Sequence, residues 1–168
     1  MKKKIILRVL FVLLVVVTNI SCDRISKNIV RKEIAYGEKI HVINDFLVLT
    51  KVENKGAFLS LGNRISGPVY HVIMIIIPII VLGGVLFFLF KYEVSGLLVF
   101  GLSMIIGGGA GNIFDRIKYG SVTDFMHMDL GIFKTGIFNM ADLSIMTGLA
   151  IILFEMYFNK ERRKLILR

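Results

Sequence analysis

Three aspartates, Asp115, Asp124 and Asp142, lie within a stretch of 28 residues. Two carboxyl groups held together cannot both stay ionised at low cost, so one keeps a proton while the other can act as a base. Such a pair can deprotonate a water molecule, direct it at a peptide carbonyl and protonate the leaving nitrogen. Structural roles are the alternative, because Asp115 is next to Arg116 and Asp142 opens an apolar stretch, where a carboxylate stabilises a helix N-terminus.

Other polar residues accompany these aspartates near the ends of apolar stretches. Asp23 and Lys27 are four residues apart, which places them on one face of a helix. The others occur in the segments ENKGAF, GGGAGNIFDR and FNMADLS, and they are Asn54, Asn112, Arg116 and Asn139. Ionisable groups at membrane depth are costly and usually serve a site, so we expect these residues to converge at one level of the molecule.

Other kinds of catalytic site have weaker support. The three histidines are scattered, no HExxH spacing occurs, and a single cysteine excludes a cysteine-built metal site, so we expect neither a metal nor another cofactor. Serine chemistry lacks the GxSxG motif, and a serine–lysine pair with Lys27 stays open although no serine is singled out. The glycines at 107–111 are interpreted as a helix-packing surface, because no Lys-Ser or Lys-Thr follows them as in a phosphate loop.

Four apolar stretches supply the elements that position these residues. Hydrophobic residues make up 55% of the 168 residues, and the mean hydropathy is +0.75, which is more apolar surface than a soluble domain of this size can bury. We therefore predict a mainly α-helical membrane protein with one domain over residues 1–168. Its four transmembrane helices are expected at about 5–24, 69–90, 94–113 and 140–158, with a kink at Pro78 in the second.

The charges predict the orientation of these helices. The formal net charge is +9, but the basic residues are concentrated at the two ends of the chain, which favours contact with anionic lipid over nucleic-acid binding. Four helices place both ends on one side, and the positive-inside rule makes that side cytoplasmic. The connections at about 28–68 and 114–138 then share the outer side. Alternation in KIHVINDFLVLTKVEN predicts one or two short strands in the first connection.

The N-terminus permits a different interpretation. Basic residues, an apolar run and Cys22 in TNISC resemble a lipoprotein signal that is removed after residue 21. Asn19 stands where such signals usually have leucine, and three further apolar stretches contradict a peripheral mature domain. We therefore expect an uncleaved first helix with Cys22 packed at its end. A non-enzymatic small membrane transporter or assembly factor is the other alternative to an enzyme.

Taken together, the motifs resemble those of the bacterial lipoprotein signal peptidase family, signal peptidase II. In chain order they are D23-x-x-x-K27, N54-x-G56-A57-F58, G108-x-x-G111-N112-x-x-D115-R116, V122-x-D124-F125 and F138-N139-x-A141-D142. One such motif is weak, but five in the family's order on the predicted outer side are a specific signal. The segment FMHMDLG from Phe125 departs from what relatives often carry and leaves both aspartate positions intact.

The resemblance implies an aspartyl endopeptidase that cleaves signal peptides from prolipoproteins just before a diacylglyceryl-modified cysteine. It implies that Asp124 and Asp142 are the catalytic pair. The other motif residues are implied to support this pair or to bind substrate, and they are Asn54, Gly56, Asn112, Asp115, Arg116, Asn139, Ala141, Asp23 and Lys27. Among these, Asp23 and Lys27 match a motif interpreted as structural or lipid-facing.

The resemblance also implies an architecture and a location. The expected fold has four transmembrane helices, a small extracytoplasmic β-cradle and a short surface helix. Independently of the resemblance, the loop at 28–68 is interpreted as a lid. The expected partners are prolipoproteins and membrane lipid, with inhibition by globomycin-type molecules, and the chain is expected to act as a monomer. The expected location is the bacterial inner membrane, with cytoplasmic termini and an active site near the extracytoplasmic face.

Overall fold

Four long helices dominate the protein. The computed structural model describes residues 2–57, 62 and 65–158. Among these residues, the long helices are α1 (Lys2–Glu33), α2 (Gly67–Lys91), α3 (Gly96–Tyr119) and α4 (Met140–Phe158). Each is long and apolar enough to cross a membrane. The predicted fold class is confirmed, and the chain is a multi-pass membrane protein.

Two of the helices extend beyond the predicted membrane spans. α1 continues to Glu33 instead of ending near residue 24, and α3 continues to Tyr119 instead of residue 113. The polar residues in these extensions pair with one another: Lys27 and Arg31 of α1 both contact Asp115 of α3. The predicted outer loops at 28–68 and 114–138 are therefore shorter than expected, because polar sequence here forms the last turns of packed helices.

A small antiparallel sheet covers one end of the helices. Its strands are β1 (Lys39–Ile43), β2 (Leu47–Asn54) and β3 (Val122–Met128), paired in the order β1-β2-β3. The first two confirm the strands predicted from alternation. β3 was not predicted, because its residues 122–125 are all buried and show no polar–apolar alternation. We call this end of the bundle the sheet end.

The remaining part of the first predicted outer loop is only partly described. The described residues between β2 and α2 are 55–57, 62 and 65–66, and none of them is helical. The short surface helix expected in this loop has no counterpart among them, and residues 58–61, 63 and 64 lie outside the described part of the chain.

Glycines allow α1 and α4 to pack closely against α3. A methyl group at Gly108 would collide with the backbone carbonyl oxygen of Ala141 in α4, and one at Gly111 would lie 2.8 Å from Oδ2 of Asp23 in α1. The interpretation of the glycine run as a helix-packing surface is thus confirmed. α3 is accordingly the most buried of the four helices.

Apolar clusters stabilise both ends of the bundle. One cluster lies towards the connection between α2 and α3, which we call the turn end, and consists of Val12, Leu89, Leu98, Val99, Leu102 and Ile106. The second cluster, Val30, Ile34 and Phe125, holds the sheet against α1. Both bury apolar side chains from elements far apart in sequence, which fixes the elements relative to one another.

Two local features of the helices were predicted, a kink at Pro78 and the packing of Cys22. A π-helical turn at Val72–Ile76 precedes Pro78, whose missing N–H leaves the Met74 carbonyl without its usual helical partner. Cys22 was expected to pack at a helix end. It instead lies within α1 with an exposed side chain, because the next residue, Asp23, takes the inward-facing position.

Candidate active site

Asp124 and Asp142 meet at the sheet end of the bundle. Asp124 lies on β3, and Asp142 lies in the first turn of α4. Both line a cavity of about 20 Å³, together with Asn54, Ala57, Asn112, Arg116, Val122 and Ile137. A polar cavity of this size holds about one water molecule. The two carboxyl groups therefore share a water-sized space.

Two amide side chains hold Asp124. Nδ2 of Asn54 donates to Oδ2 at 2.9 Å, and Nδ2 of Asn139 donates to Oδ1 at 2.6 Å. The side chain is almost fully buried, with 3% exposed. Burial, helped by the charge of Asp142, raises the pKa of Asp124 to about 6 against the opposing effect of the hydrogen bonds from Asn54 and Asn139.

Asp142 is held by the N-terminus of its own helix. The backbone N–H of Asn139 donates to Oδ2 of Asp142 at 3.2 Å, and the backbone N–H of Asp142 donates to Oδ1 of Asn139 at 3.0 Å. This reciprocal pair is a capping box, which fixes both side chains. Nδ2 of Asn112 adds a hydrogen bond to Oδ1 of Asp142 at 2.8 Å. A negative charge at this position also interacts favourably with the helix dipole.

Lys27 sets the orientation of the Asn112 amide. Its Nζ lies 3.0 Å from Oδ1 of Asn112. An ammonium group only donates hydrogen bonds, so the amide must turn its oxygen towards Lys27 and its nitrogen towards Asp142. Nδ2 of Asn139 also donates to the same oxygen, at 3.3 Å. Asn112 and Asn139 thus link the two aspartates to a lysine that contacts neither.

Lys27 belongs to a fully buried ion-pair cluster. Asp23, Lys27 and Asp115 each have 0% exposure. Nζ of Lys27 lies 2.8 Å from Asp23 and 2.9 Å from Asp115, and Asp115 also pairs with Arg24 and, at 3.1 Å, with Arg31. The lipid-facing interpretation of Asp23 and Lys27 is therefore wrong, since this cluster joins α1 to α3 inside the protein.

Asp115 does not pair with the adjacent Arg116, contrary to one of its two sequence interpretations. Neighbouring residues on a helix point in different directions. Nη2 of Arg116 instead donates to the carbonyl of Gly56 at 2.8 Å. Its Nε is buried, and it has no hydrogen-bond partner among the described residues. Arg116 lines the cavity shared by the two aspartates.

Two residues act through their backbone. The N–H of Gly56 donates to Oδ1 of Asn54 at 2.9 Å, which orients the Asn54 amide nitrogen towards Asp124. The N–H of Ala141 donates to Oδ1 of Asp23 at 3.0 Å, which ties the first turn of α4 to α1. All eleven residues selected from the sequence therefore belong to one connected arrangement, and the two aspartates occupy its cavity.

Sequence reasoning missed a second layer of polar residues. Nε of Arg31 donates to Oγ1 of Thr123 at 2.8 Å, and Thr123 donates to Glu53 at 2.7 Å. This chain connects α1 to the strand that carries Asp124. The signal for it was present, because Arg24, Lys27 and Arg31 have the i, i+3, i+7 spacing of one helix face.

An apolar groove leads to the same cavity. It has a volume of about 380 Å³, and its lining includes Asn112, Arg116 and Asp142 from the site. The rest of the lining is apolar or small and comes from the loop after β2, α2, α3 and α4: Ala57, Ile73, Met74, Pro78, Gly109, Ile113, Ile145 and Met146. Among the described residues, no group of three or more His, Cys, Asp or Glu side chains is arranged to hold a metal ion.

Solved structures with the same fold are membrane enzymes. Two entitled "Bacterial membrane enzyme structure by the in meso method", at 2.3 and 1.9 Å resolution, match with TM-scores of 0.79 and 0.80 at 28% sequence identity. Each match covers 89% of this chain, and the matches cover 91% and 94% of those chains. The fold and the carboxylate pair at the sheet end together place the chain in the class of multi-pass membrane enzymes.

The sequence comparisons define the family. The model of Signal peptidase (SPase) II matches residues 13–158. The lipoprotein signal peptidase of Streptococcus pneumoniae strain R6 is 34% identical over 93% of this chain and 95% of its own length. That of Halothermothrix orenii is 32% identical over 87% and 94%. The chain belongs to the signal peptidase II family, whose members are peptidases that remove signal peptides from lipoproteins, and it is an enzyme with hydrolase activity.

Proposed function

We propose that this enzyme is an aspartyl endopeptidase that cleaves prolipoproteins immediately before a diacylglyceryl-modified cysteine. The observation that carries the proposal is the water-sized cavity of about 20 Å³ bounded by Asp124 and Asp142. Every other carboxylate selected from the sequence is occupied elsewhere: Asp115 and Asp23 are held by Lys27. The dyad is therefore assigned to Asp124 and Asp142, with the remaining residues in supporting positions.

The proposed reaction uses one proton held between the two carboxyl groups. Ionised Asp142 takes a proton from the water while the water oxygen attacks the scissile carbonyl carbon, and Asp124 donates its proton to the carbonyl oxygen. The tetrahedral intermediate then collapses, the C–N bond breaks, and the proton on Asp142 passes to the leaving nitrogen. Asp124 regains its proton from the hydroxyl group. The products are a signal peptide with a new carboxyl terminus and a lipoprotein that begins with the modified cysteine.

The groove supports a substrate that approaches from lipid. Its walls are mostly apolar, and it reaches Asp142 from the direction of α2. An extended signal peptide lying in this groove would keep its apolar side chains out of water. The unpartnered Nε of Arg116 would donate to a peptide carbonyl, since a buried guanidinium N–H without a partner is costly in the free enzyme.

The location and partners form part of the same proposal. We place the enzyme in the bacterial inner membrane with both termini in the cytoplasm and the sheet end at the extracytoplasmic face. The reason is that the basic residues flank the N-terminal end of α1 and the C-terminal end of α4, which are the ends away from the sheet. One chain supplies both aspartates, which supports a monomer. Globomycin-type inhibitors are expected to compete for the groove and cavity, as the family resemblance implies.

The dyad assignment is tested by Asp124→Asn and Asp142→Asn, each purified in detergent and assayed with a synthetic lipidated prolipoprotein. Each variant should lose about 10²- to 10⁴-fold in turnover, which is the usual contribution of a positioned acid or base. Mass spectrometry of the products should place the cut before the lipidated cysteine. Near-normal turnover by either folded variant would refute the dyad.

Two further variants separate catalysis from structure. Asp45 is a solvent-exposed carboxylate in the β1–β2 turn, with 91% of its side chain exposed, so Asp45→Asn should keep full turnover. Asp115→Asn weakens the buried ion pairs and should lower thermal stability. An Asp115→Asn protein that folds as stably as the parent but has no turnover would indicate that Asp115 belongs to the catalytic pair.

A further inference from the structure

A second large cleft lies at the turn end of the bundle, away from the aspartates. It has a volume of about 420 Å³, within the usual range of small-molecule sites. One wall is the N-terminal part of α1, and the other is the connection between α2 and α3 with the start of α3. Its lining includes Lys4, Leu7, Arg8, Phe11, Glu93 and Val99.

Arg8 is held in place within this cleft. Its Nη1 donates to the carbonyl of Tyr92 at 2.9 Å, and its Nη2 lies 3.4 Å from the carbonyl of Val94. These contacts fix the guanidinium group without neutralising its charge. Arg8 is half-buried, and Lys4 lies on the same face of α1, one helical turn before it.

The two cations have no acidic partner among the residues that the structure describes. No ion pair there involves Lys4, Arg8 or Glu93. A half-buried cation without an ion-pair partner at a membrane boundary is stabilised by an anion supplied from outside. Apolar side chains such as Leu7, Phe11 and Val99 continue from the basic part of the cleft along the helices.

The cleft and the aspartates lie at opposite faces of the membrane. Arg8 and Lys27 are both on α1, and the nineteen residue steps from one to the other correspond to about 28 Å of helix at 1.5 Å per residue. This length is close to the thickness of the hydrocarbon layer, about 30 Å. Lys27 contacts the network around Asp142, so the cleft belongs to the other leaflet.

We propose that this cleft binds an anionic phospholipid of the leaflet in which the N-terminus lies. The phosphodiester contacts Lys4 and Arg8, and an acyl chain lies along Leu7, Phe11 and Val99. Basic pockets between transmembrane helices are known binding sites for anionic lipid headgroups. The bound lipid would join α1 to the α2–α3 connection at the end of the bundle opposite the catalytic residues.

Glu93 tests this proposal because its substitution should change lipid binding in the opposite direction from substitution of the basic residues. Its carboxylate lines the cleft and repels a phosphate, so Glu93→Gln should strengthen binding. Lys4→Gln and Arg8→Gln should each weaken binding about five-fold, the effect of one basic residue near an anionic lipid. Arg8→Lys keeps the charge while losing the paired carbonyl contacts, so it should bind more tightly than Arg8→Gln.

The measurement is lipid binding by native mass spectrometry of the full chain, titrated with phosphatidylglycerol and, separately, phosphatidylcholine. Thermal unfolding confirms that each variant is folded. Glycerol 3-phosphate supplies a phosphate monoester without acyl chains and is expected to bind far more weakly, which separates a lipid site from a simple phosphate site. Lys118→Gln alters an exposed basic residue at the sheet end and serves as the matched control.

The outcomes distinguish the proposal from general charge attraction. Preference for phosphatidylglycerol that falls in both glutamine variants, rises in Glu93→Gln and is unchanged in Lys118→Gln supports it. Equal binding of both phospholipids, or equal losses in Lys4→Gln and Lys118→Gln, overturns it. Binding of glycerol 3-phosphate as tightly as the lipid also overturns it, because the apolar wall would then contribute nothing.

Discussion

The two aspartates of the site occupy chemically different environments. Asp124 lies on a strand, is almost completely buried and accepts hydrogen bonds from two side-chain amides. Asp142 caps the first turn of α4 and accepts from its backbone and from Asn112. Burial favours a proton on Asp124, whereas Asp142 lies at the partly exposed start of its helix. The geometry thus supports Asp124 as the carboxyl group that keeps the proton.

This asymmetry predicts an alkaline limb in the pH profile. Burial raises the pKa of Asp124 to about 6, so the protonated form that the proposed mechanism requires is lost as the pH rises through that value. We expect kcat/KM of the free enzyme to fall about ten-fold per pH unit above this pKa. The limb in kcat should lie at higher pH, because bound substrate displaces water and further disfavours the charged carboxylate.

The profile is measured with the lipidated substrate in detergent micelles of uncharged headgroup, which avoids a surface potential. A kcat/KM that rises continuously from pH 5 to 8 would contradict a catalytic proton on Asp124. The apparent values belong to the coupled pair, so the assignment to one residue needs the following variant.

Asn54 is expected to influence the pH at which the alkaline limb of kcat/KM lies. Its hydrogen bond favours the ionised form of Asp124 and so lowers the pKa of that carboxyl group. Asn54→Ala removes the bond, and the alkaline limb should move to higher pH while the maximal rate decreases. Asn28→Ala, on the exposed surface of α1, is the matched control and should leave the limb unchanged. A lower rate with an unshifted limb would mean that Asn54 only positions substrate or loop.

At the scale of elements, α1 positions the site without contributing a residue to its cavity. Lys27 orients Asn112, Asp23 anchors the first turn of α4, and Arg31 reaches Thr123 beside Asp124. The chemical types and the spacing of Asp23 and Lys27 were readable from the sequence. Their burial was not, because a charged pair on a helix face looks the same whether it faces lipid, water or acidic residues from another helix.

β3 shows the complementary limit of sequence analysis. The aspartate that it carries was identified from its motif, but the strand itself was assigned to a loop. A strand buried on both faces has no alternation to detect, and here its partner β2 lies about seventy residues earlier in the chain, with Val52 opposite Asp124. Motif order located the site residues, whereas the pairing that brings them together depends on contacts distant in sequence.

The buried ion-pair cluster makes Lys27 a strong determinant of stability. Lys27→Met leaves the carboxylate of Asp23 buried without its cation and should cost about 3–5 kcal/mol of unfolding free energy. Asp115 keeps Arg24 and Arg31, so the second change Asp23→Asn in the Lys27→Met background should recover part of the loss. Asn retains an acceptor for the Ala141 N–H.

Reversible unfolding in mixed micelles measures all members of this cycle. Additive losses in the double variant would show that Asp23 and Lys27 do not interact across the cycle. Activity supplies a second readout, because the double variant lacks the donor that orients Asn112 and should be slower than its stability alone explains.

The contact between α3 and α4 is equally specific. A methyl group at Gly108 would collide with the backbone carbonyl of Ala141, immediately before Asp142. Gly108→Ala should therefore destabilise the protein by about 1–3 kcal/mol and displace Asp142, with a lower kcat. Gly84→Ala in α2 meets nothing within 4 Å and is the matched control, expected to be neutral or slightly stabilising. Equal effects of both substitutions would show that helix propensity, not close packing, is responsible.

At the scale of the whole molecule, the charge distribution and the position of the site predict the same orientation of the protein in the membrane. The N-terminal lysines and Arg8 mark the turn end, and the buried ion pairs and both aspartates mark the sheet end. Basic residues near the ends of membrane helices are retained on the cytoplasmic side. We therefore propose that the cavity shared by Asp124 and Asp142 opens on the opposite face, the face that exported prolipoproteins reach.

Cysteine labelling of intact cells tests this orientation directly. In a Cys22→Ser background, which removes the natural cysteine, Leu130→Cys lies in an exposed position beyond β3, and Glu93→Cys lies in the exposed α2–α3 connection. A membrane-impermeant maleimide should label Leu130→Cys in intact cells and Glu93→Cys only after the membrane is opened. Both variants retain all catalytic and supporting residues, so prolipoprotein processing in the same cells confirms that the labelled protein is folded. Labelling of Glu93→Cys from outside, with Leu130→Cys protected, would contradict the proposed topology. It would place the aspartates on the cytoplasmic face, from which lipoproteins are exported, instead of the extracytoplasmic face, on which they arrive.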